Sequence, residues 1–149
     1  MDWGIMGSKE DSAVKKLTVI TAPDGNTELC AVEADCIFTK DSPNAVIENT
    51  FDHFENLSGK TFSISIFAAQ GAAGRYKIAL RIKSTYNWVS DDSSYVQLKE
   101  GWQKLTFRID STSAKGSTDL VRSAGFVIKQ SEAEYPDKRK FIFSNISWK

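Results

Sequence analysis

The chain has 149 residues, 41% hydrophobic and 26% charged, which suits one globular domain with room for a two-layer core. Its 19 basic and 19 acidic side chains cancel, which removes the basic footprint that a nucleic-acid binder uses to neutralise phosphates. No apolar run approaches the roughly 18 residues needed to span a bilayer, so neither nucleic acid nor membrane is expected as a partner.

In chain order, the opening MDWGIMGSKED lacks the basic and apolar regions of a signal peptide. With Gly4, Gly7 and Ser8 it reads as a loose lead-in or linker remnant, set at residues 1–14 of a single module over 1–149. PDGN, from Pro23 to Asn26, is a turn signal. TELCAVEADCIFTKD then reads as one strand. Six positions at about 3.3 Å each separate Cys30 from Cys36 by roughly 20 Å, too far to bridge within that strand. Both share a face with Val32, Ala34 and Phe38, so they read as buried thiols. His53, the one histidine, sits in TFDHFEN beside no nucleophile motif and reads as a surface or turn residue. With two cysteines it supplies three zinc ligands at most. The Glu48/Asp52 region and the backbone near the termini are the candidate places for one structural calcium.

From residue 60 the dominant period is two. Phe62, Ile64 and Ile66 alternate with Ser63, Ser65 and Phe67. Tyr76, Ile78, Leu80 and Ile82 alternate with Lys77, Ala79, Arg81 and Lys83. Leu105 and Phe107 face away from Lys104, Thr106 and Arg108, and Ala124, Phe126 and Ile128 away from Gly125, Val127 and Lys129. DSPN, LSGK, QGAAG and KEG punctuate these runs, and no segment carries a sustained helical face. About nine or ten strands at short spacing predict an all-β fold, an antiparallel β-sandwich of jelly-roll, galactose-binding-like type.

Small residues mixed with a few hydrogen-bonding ones occupy the non-core faces: Ser63, Ser65, Phe67, Ala79, Arg81, Tyr95, Gln97, Gly125, Val127 and Lys129. That mixture predicts a shallow open groove. No phosphate-binding loop is present, because GAAG is followed by neither Lys-Ser/Thr nor a helix. The adjacent Asp91 and Asp92 point to a turn rather than a catalytic carboxylate pair. Glu33 and Asp35 share a face, and suit a carboxylate pair or equally the hydrogen-bonding rim of a groove.

A polysaccharide fits what remains. Sugar rings offer an apolar C–H face to planar aromatics and a belt of hydroxyls to polar side chains. YNWVSDDSSYVQ places Tyr86, Trp88 and Tyr95 among Asn87, Asp91, Asp92 and Gln97. The break at Ser84-Thr85 and the Asp-Asp turn favour a loop there over a strand continuing into the core. Trp102, directly after a turn, is expected to pack over the end of the sandwich, and Trp148 to lie in the core.

The pieces GKTFSISI, GWQKLTFRI, AGFVI and the closing FIFSNISW, over about residues 55 to 149, resemble the β-jelly-roll carbohydrate-binding modules attached to plant cell-wall hydrolases. The resemblance implies a non-catalytic module. It would be secreted and monomeric within a larger glycoside hydrolase, holding that enzyme on β-1,4-linked glucan, glucomannan, mannan or xyloglucan. Under this reading Trp88, Tyr86 and Tyr95 stack on sugar rings, while Arg81, Gln97, Asp91, Asp92 and Lys129 hydrogen-bond the hydroxyls. The rival expectations are a structural or protein-interaction sandwich and a small glycoside hydrolase on the same fold.

Overall fold

The computed structural model describes residues 7–8, 12–21, 30–84, 88–89, 95–109, 118–132 and 134–149, with the side chains of 7, 8, 21, 30, 88 and 89 left aside. Among these the strands are β1 (Gly7–Ser8), β2 (Val14–Thr21), β3 (Cys30–Phe38), β4 (Asn44–Glu55), β5 (Thr61–Ala68) and β6 (Tyr76–Ser84). They continue with β7 (Trp88–Val89), β8 (Val96–Gln97), β9 (Gly101–Arg108), β10 (Val121–Gln130) and β11 (Asp137–Trp148). One antiparallel sheet runs β1-β4-β10-β6-β7 with β8 also on β6, and the other runs β2-β3-β11-β5-β9. They are called the first and second sheet below. Two antiparallel sheets face to face are the sandwich that the period-two pattern predicts.

Period two fixes the core. Phe62, Ile64 and Ile66 of β5, Tyr76, Ile78, Leu80 and Ile82 of β6, and Phe126 and Ile128 of β10 are all fully buried between the sheets. Each such side chain contributes about 1.5–3 kcal/mol on leaving water. Rings interlock across the gap: Phe126 meets Phe143 at 4.6 Å, and Tyr76 meets Phe38 and Phe141 at 5.3 Å each. In β11 the inward parity changes from odd to even. A register shift between Ser144 and Ser147, with Asn145 at φ 52°, inserts a bulge, so Phe141, Phe143 and then Trp148 all face inward. Trp148 packs on Phe62 at 4.4 Å, in the core as expected.

Within residues 1–14, Gly7–Ser8 pairs with β4, and Ser12, Ala13 and Val14 are buried. The Ser12 hydroxyl accepts from the Val46 N–H at 2.8 Å. Cys36 is buried inside the straight run of β3, while the Cys30 side chain lies outside the description. Burial first, and the Asp35 charge second, push the Cys36 thiol up to about 12, against a pull from Lys15. The folded state therefore favours the protonated thiol. Its contribution to stability is complete below the ordinary value of 9.0 and is lost as pH rises toward 12. With Cys30 replaced by serine, the native protein is expected to resist DTNB at pH 8 and to react fully in guanidinium. Rapid labelling of native protein would contradict the burial.

The two sheets are tied at one end by a polar network. The Tyr76 hydroxyl on β6 donates to Asp137 on β11, which also accepts from Gln130 Nε2 on β10 at 2.6 Å. Arg139 Nε donates to the Tyr76 oxygen at 2.8 Å and lies 3.2 Å from the Asp137 carboxylate. No helix among the described residues is long and apolar enough to cross a membrane.

Candidate functional site

Strand order decides which sequence-predicted residues meet. β10 lies between β4 and β6, so the outer side of the first sheet is built in rows. One row registers Asn44, Lys129, Lys77 and Gln97. The next sets Val46, Val127 and Ala79, all buried and packed together, with Tyr95 against them. A third runs Glu48, Gly125, Arg81, and a fourth Thr50, Ser123, Lys83, with the backbone of Trp88 opposite Lys83. Arg81, Tyr95, Gln97 and Lys129 thus share one face. Tyr86, Asp91 and Asp92 lie outside the described residues, as does the Trp88 side chain.

The sequence pattern favours a loop for YNWVSDDSSYVQ after β6. Its described parts, Trp88–Val89 and Val96–Gln97, both pair with the free edge of β6 instead. An exposed row of backbone donors and acceptors on a long strand recruits such pairing.

The floor of this face is apolar, the small patch Val46, Ala79 and Val127. Tyr95 borders it half-buried, with the Lys77 ammonium 5.0 Å from its ring centroid. Polar groups rim it. Two of them, Asn44 and Glu48 on β4, are missed by sequence reasoning as hydrogen-bonding groups of the groove, which places Glu48 only in a calcium region. Asn44 Oδ1 and Glu48 Oε2 are buried, and neither has a hydrogen-bond partner among the described residues. A buried acceptor left unpaired costs about 1–3 kcal/mol, so both favour an arriving donor such as a hydroxyl. Gly125 stands in the middle of the Glu48–Arg81 row and leaves that row without a central side chain.

Two expectations need correcting. The polar non-core residues do not form one groove. Ser63, Ser65 and Phe67 belong to β5 and line the outer side of the second sheet, across the sandwich from Arg81, Tyr95 and Lys129. Trp102 does not close the end of the sandwich either. It is 40% exposed on that second outer side, resting on Phe67 at 5.5 Å. Its parity with Lys104 and Thr106 carries it outward, and the turn before it does not alter that. Glu33 and Asp35 lie on the same side, each within 3.6 Å of Lys140 Nζ. Glu48 and Asp52 stand on β4, and no group of three His, Cys, Asp or Glu side chains able to hold a metal occurs among the described residues. His53 is exposed.

No family model matches the sequence, and comparison with curated proteins finds no match. Solved structures do match. A family 11 carbohydrate-binding module from Clostridium thermocellum, in complex with a β-1,3-1,4-mixed-linked tetrasaccharide, superposes with a TM-score of 0.65 at 14% identity, over 95% of this chain and 86% of that one. The fold is that of the β-sandwich carbohydrate-binding modules. The non-crystalline cellulose specific module CBM28 gives 0.65 at 14% identity, over 97% of this chain and 87% of its own. The family 30 module of the cellulosomal cellulase Cel9D-Cel44B of Clostridium thermocellum gives 0.63 at 15%, covering 99% and 87%. The carbohydrate-binding module fold thus leaves the outer side of each sheet facing away from the shared core.

Proposed function

We propose that the chain is a non-catalytic carbohydrate-binding module whose first-sheet face takes a β-1,4-linked plant cell-wall glycan. One observation carries the reading. Asn44 and Glu48, whose Oδ1 and Oε2 are buried without a hydrogen-bond partner among the described residues, stand in the rows of the same apolar-floored face as Tyr95, Arg81, Gln97 and Lys129. Tyr95 offers its ring to the C–H face of a sugar, and the rim groups take the hydroxyls. Tyr86, Trp88, Asp91 and Asp92 are assigned to the same ligand through their place beside β6 in the chain.

The ligands of similar folds support a glucan: a β-1,3-1,4-mixed-linked tetrasaccharide for the family 11 module and non-crystalline cellulose for CBM28. Glucomannan, mannan and xyloglucan share the β-1,4-linked equatorial backbone. The family 30 module belongs to a cellulase, which supports a module carried by a glycoside hydrolase; a secreted, monomeric state is part of the same proposal. One structural calcium is retained in this proposal, at the Asp52 end of the Glu48/Asp52 region or on the backbone near the termini.

Affinity gel electrophoresis tests the reading. Mixed-linked β-glucan, glucomannan or xyloglucan is expected to retard the protein. Tyr95→Ala and Glu48→Ala are each expected to weaken binding at least tenfold, about 1.4 kcal/mol. Retardation by none of these polysaccharides would leave the sandwich as a structural spacer, whereas reducing-sugar release would make it a hydrolase. Unchanged retardation of both variants would move the site off this face.

A further inference from the structure

The outer side of the second sheet carries a groove that the first-sheet reading leaves unused. Phe67 on β5 registers with Trp102 on β9, Ser65 with Lys104 and Ser63 with Thr106. Trp102 leans on Phe67 and keeps its outer surface in solvent. An exposed tryptophan is costly unless its flat face has a use, since aromatics supply the largest apolar contact area of any side chain. Beside it lies a cavity of about 280 Å³ lined by Ser65, Trp102, Gln103, Lys104, Ser144 and Asn145. A second cavity of about 470 Å³ shares Ser65, Lys104 and Asn145 with the first and extends to Ser63, Ser147 and Lys149. Together they form one open groove within the size range of small-ligand clefts, about 300–1,000 Å³.

The β11 bulge bears directly on this groove. Asn145 adopts φ 52°, a left-handed conformation that asparagine tolerates better than most residues bearing a Cβ. Bulges re-aim side chains, and this one puts an exposed amide at the point where the two cavities join. The ionisable residues lining the groove are lysines alone, Lys104 and Lys149, and neither is paired with a carboxylate among the described residues.

A stacking ring at one end, hydroxyls and an amide along the floor, and two ammonium groups with no carboxylate ion-paired to them among the described residues suit a sugar that carries negative charge. We infer a second glycan-binding site on the face opposite the first, selective for carboxylate-bearing saccharides, that is, chains containing uronic acid. Trp102 stacks on a ring, Lys104 and Lys149 meet the carboxylate, and Ser65 and Asn145 hydrogen-bond the hydroxyls. The inference rests on the module being a glycan binder in kind, and is independent of which residues of the first sheet bind.

The test is affinity electrophoresis of the whole chain in gels containing glucuronoxylan, polygalacturonate or neutral arabinoxylan, each at low and high salt. Glucuronoxylan or polygalacturonate is expected to retard the protein more than arabinoxylan does, and added salt to weaken that retardation. Trp102→Ala is expected to weaken acidic-glycan binding at least tenfold and Lys104→Gln about fivefold. Tyr95→Ala should leave it unchanged. Both groove residues are exposed, so the variants are expected to melt as the wild type does, which a thermal scan verifies. Absence of retardation by both acidic glycans overturns the site. So does unchanged retardation of Trp102→Ala, and equal retardation by arabinoxylan with no effect of Lys104→Gln overturns the acidic selectivity. Loss of β-glucan binding in Tyr95→Ala reports on the first face alone, so the two readings fail separately.

Discussion

Replacing Gly125 with alanine is expected to remove cooperative folding at ordinary temperatures. An added Cβ would sit 2.0 Å from the Ile47 carbonyl oxygen and 2.6 Å from Glu48 Cα, both backbone atoms of β4. Flexible side chains yield to such contacts; a paired strand does not. Relief would need β4 and β10 to part through the middle of the first sheet, where Gly125 registers with Glu48 on one side and Arg81 on the other. The expected loss exceeds about 4 kcal/mol, beyond the range of ordinary substitutions and a large share of the roughly 5–15 kcal/mol that holds a domain together. Gly74 supplies the control, because it has φ 75° but nothing within 4 Å of its added Cβ. Gly74→Ala should cost only about 1–2 kcal/mol, the strain of the left-handed backbone. Thermal or urea unfolding separates the two, and a Gly125→Ala protein melting within a few degrees of wild type would mean that β4 and β10 are not so closely paired.

Asp137→Ala is expected to cost about 3 kcal/mol, the magnitude for removing one partner of a largely buried charge pair. Its carboxylate is 10% exposed and holds three donors, the Tyr76 hydroxyl, Gln130 Nε2 and Arg139 Nε. Alanine leaves the Tyr76 hydroxyl without its acceptor and removes a charge partner of Arg139, while Gln130 Nε2 keeps the Glu134 carbonyl and Arg139 Nε keeps the Tyr76 oxygen. An asparagine side chain keeps an acceptor there, so Asp137→Asn is expected to lose clearly less. Urea midpoints at a shared m-value give the comparison, and equal stabilities of Asp137→Ala and wild type would show that the network is ornamental. The same network sets an alkaline limit. Burial, then the hydrogen bond to Asp137 and its charge, raise the Tyr76 phenol above its ordinary value of 10.0, while Arg139 acts in the opposite direction. Its stabilisation is therefore complete below pH 10 and fades as pH climbs above it. Tyr76→Phe should be less stable at pH 8 yet lose less on moving to pH 11.

The strands of this protein are largely readable because its hydrophobic period is two and its turns carry glycine and proline. Alternation in β5, β6 and β9 gives the correct inward residues, down to Leu105 and Phe107. Trp102 goes astray when the local turn is weighed above that alternation, although the parity placing Phe107 inside also places Trp102 outside. Strand order is another matter. Period says which way a side chain points and nothing about which strand lies beside it, so Ser65 and Arg81 fall into a common groove on paper when a whole sandwich separates them. For the same reason Glu48 and Asn44 escape notice as groove residues: they matter only once β4 is known to flank β10. The bulge at Asn145 is invisible too, since an inserted residue in a strand leaves no mark on composition.

The margins of the second sheet bear on how the molecule behaves when many copies crowd together. Its outermost strands are β2 and β9, and a bare strand edge invites a neighbour to extend the sheet. β2 opens with the exposed Lys15 and Lys16 at a register shift, and β9 exposes Lys104 and Arg108. Like charges brought edge to edge repel, and the shift spoils the flat template. Molecules packed densely side by side would thus remain separate particles instead of polymerising into β-fibrils.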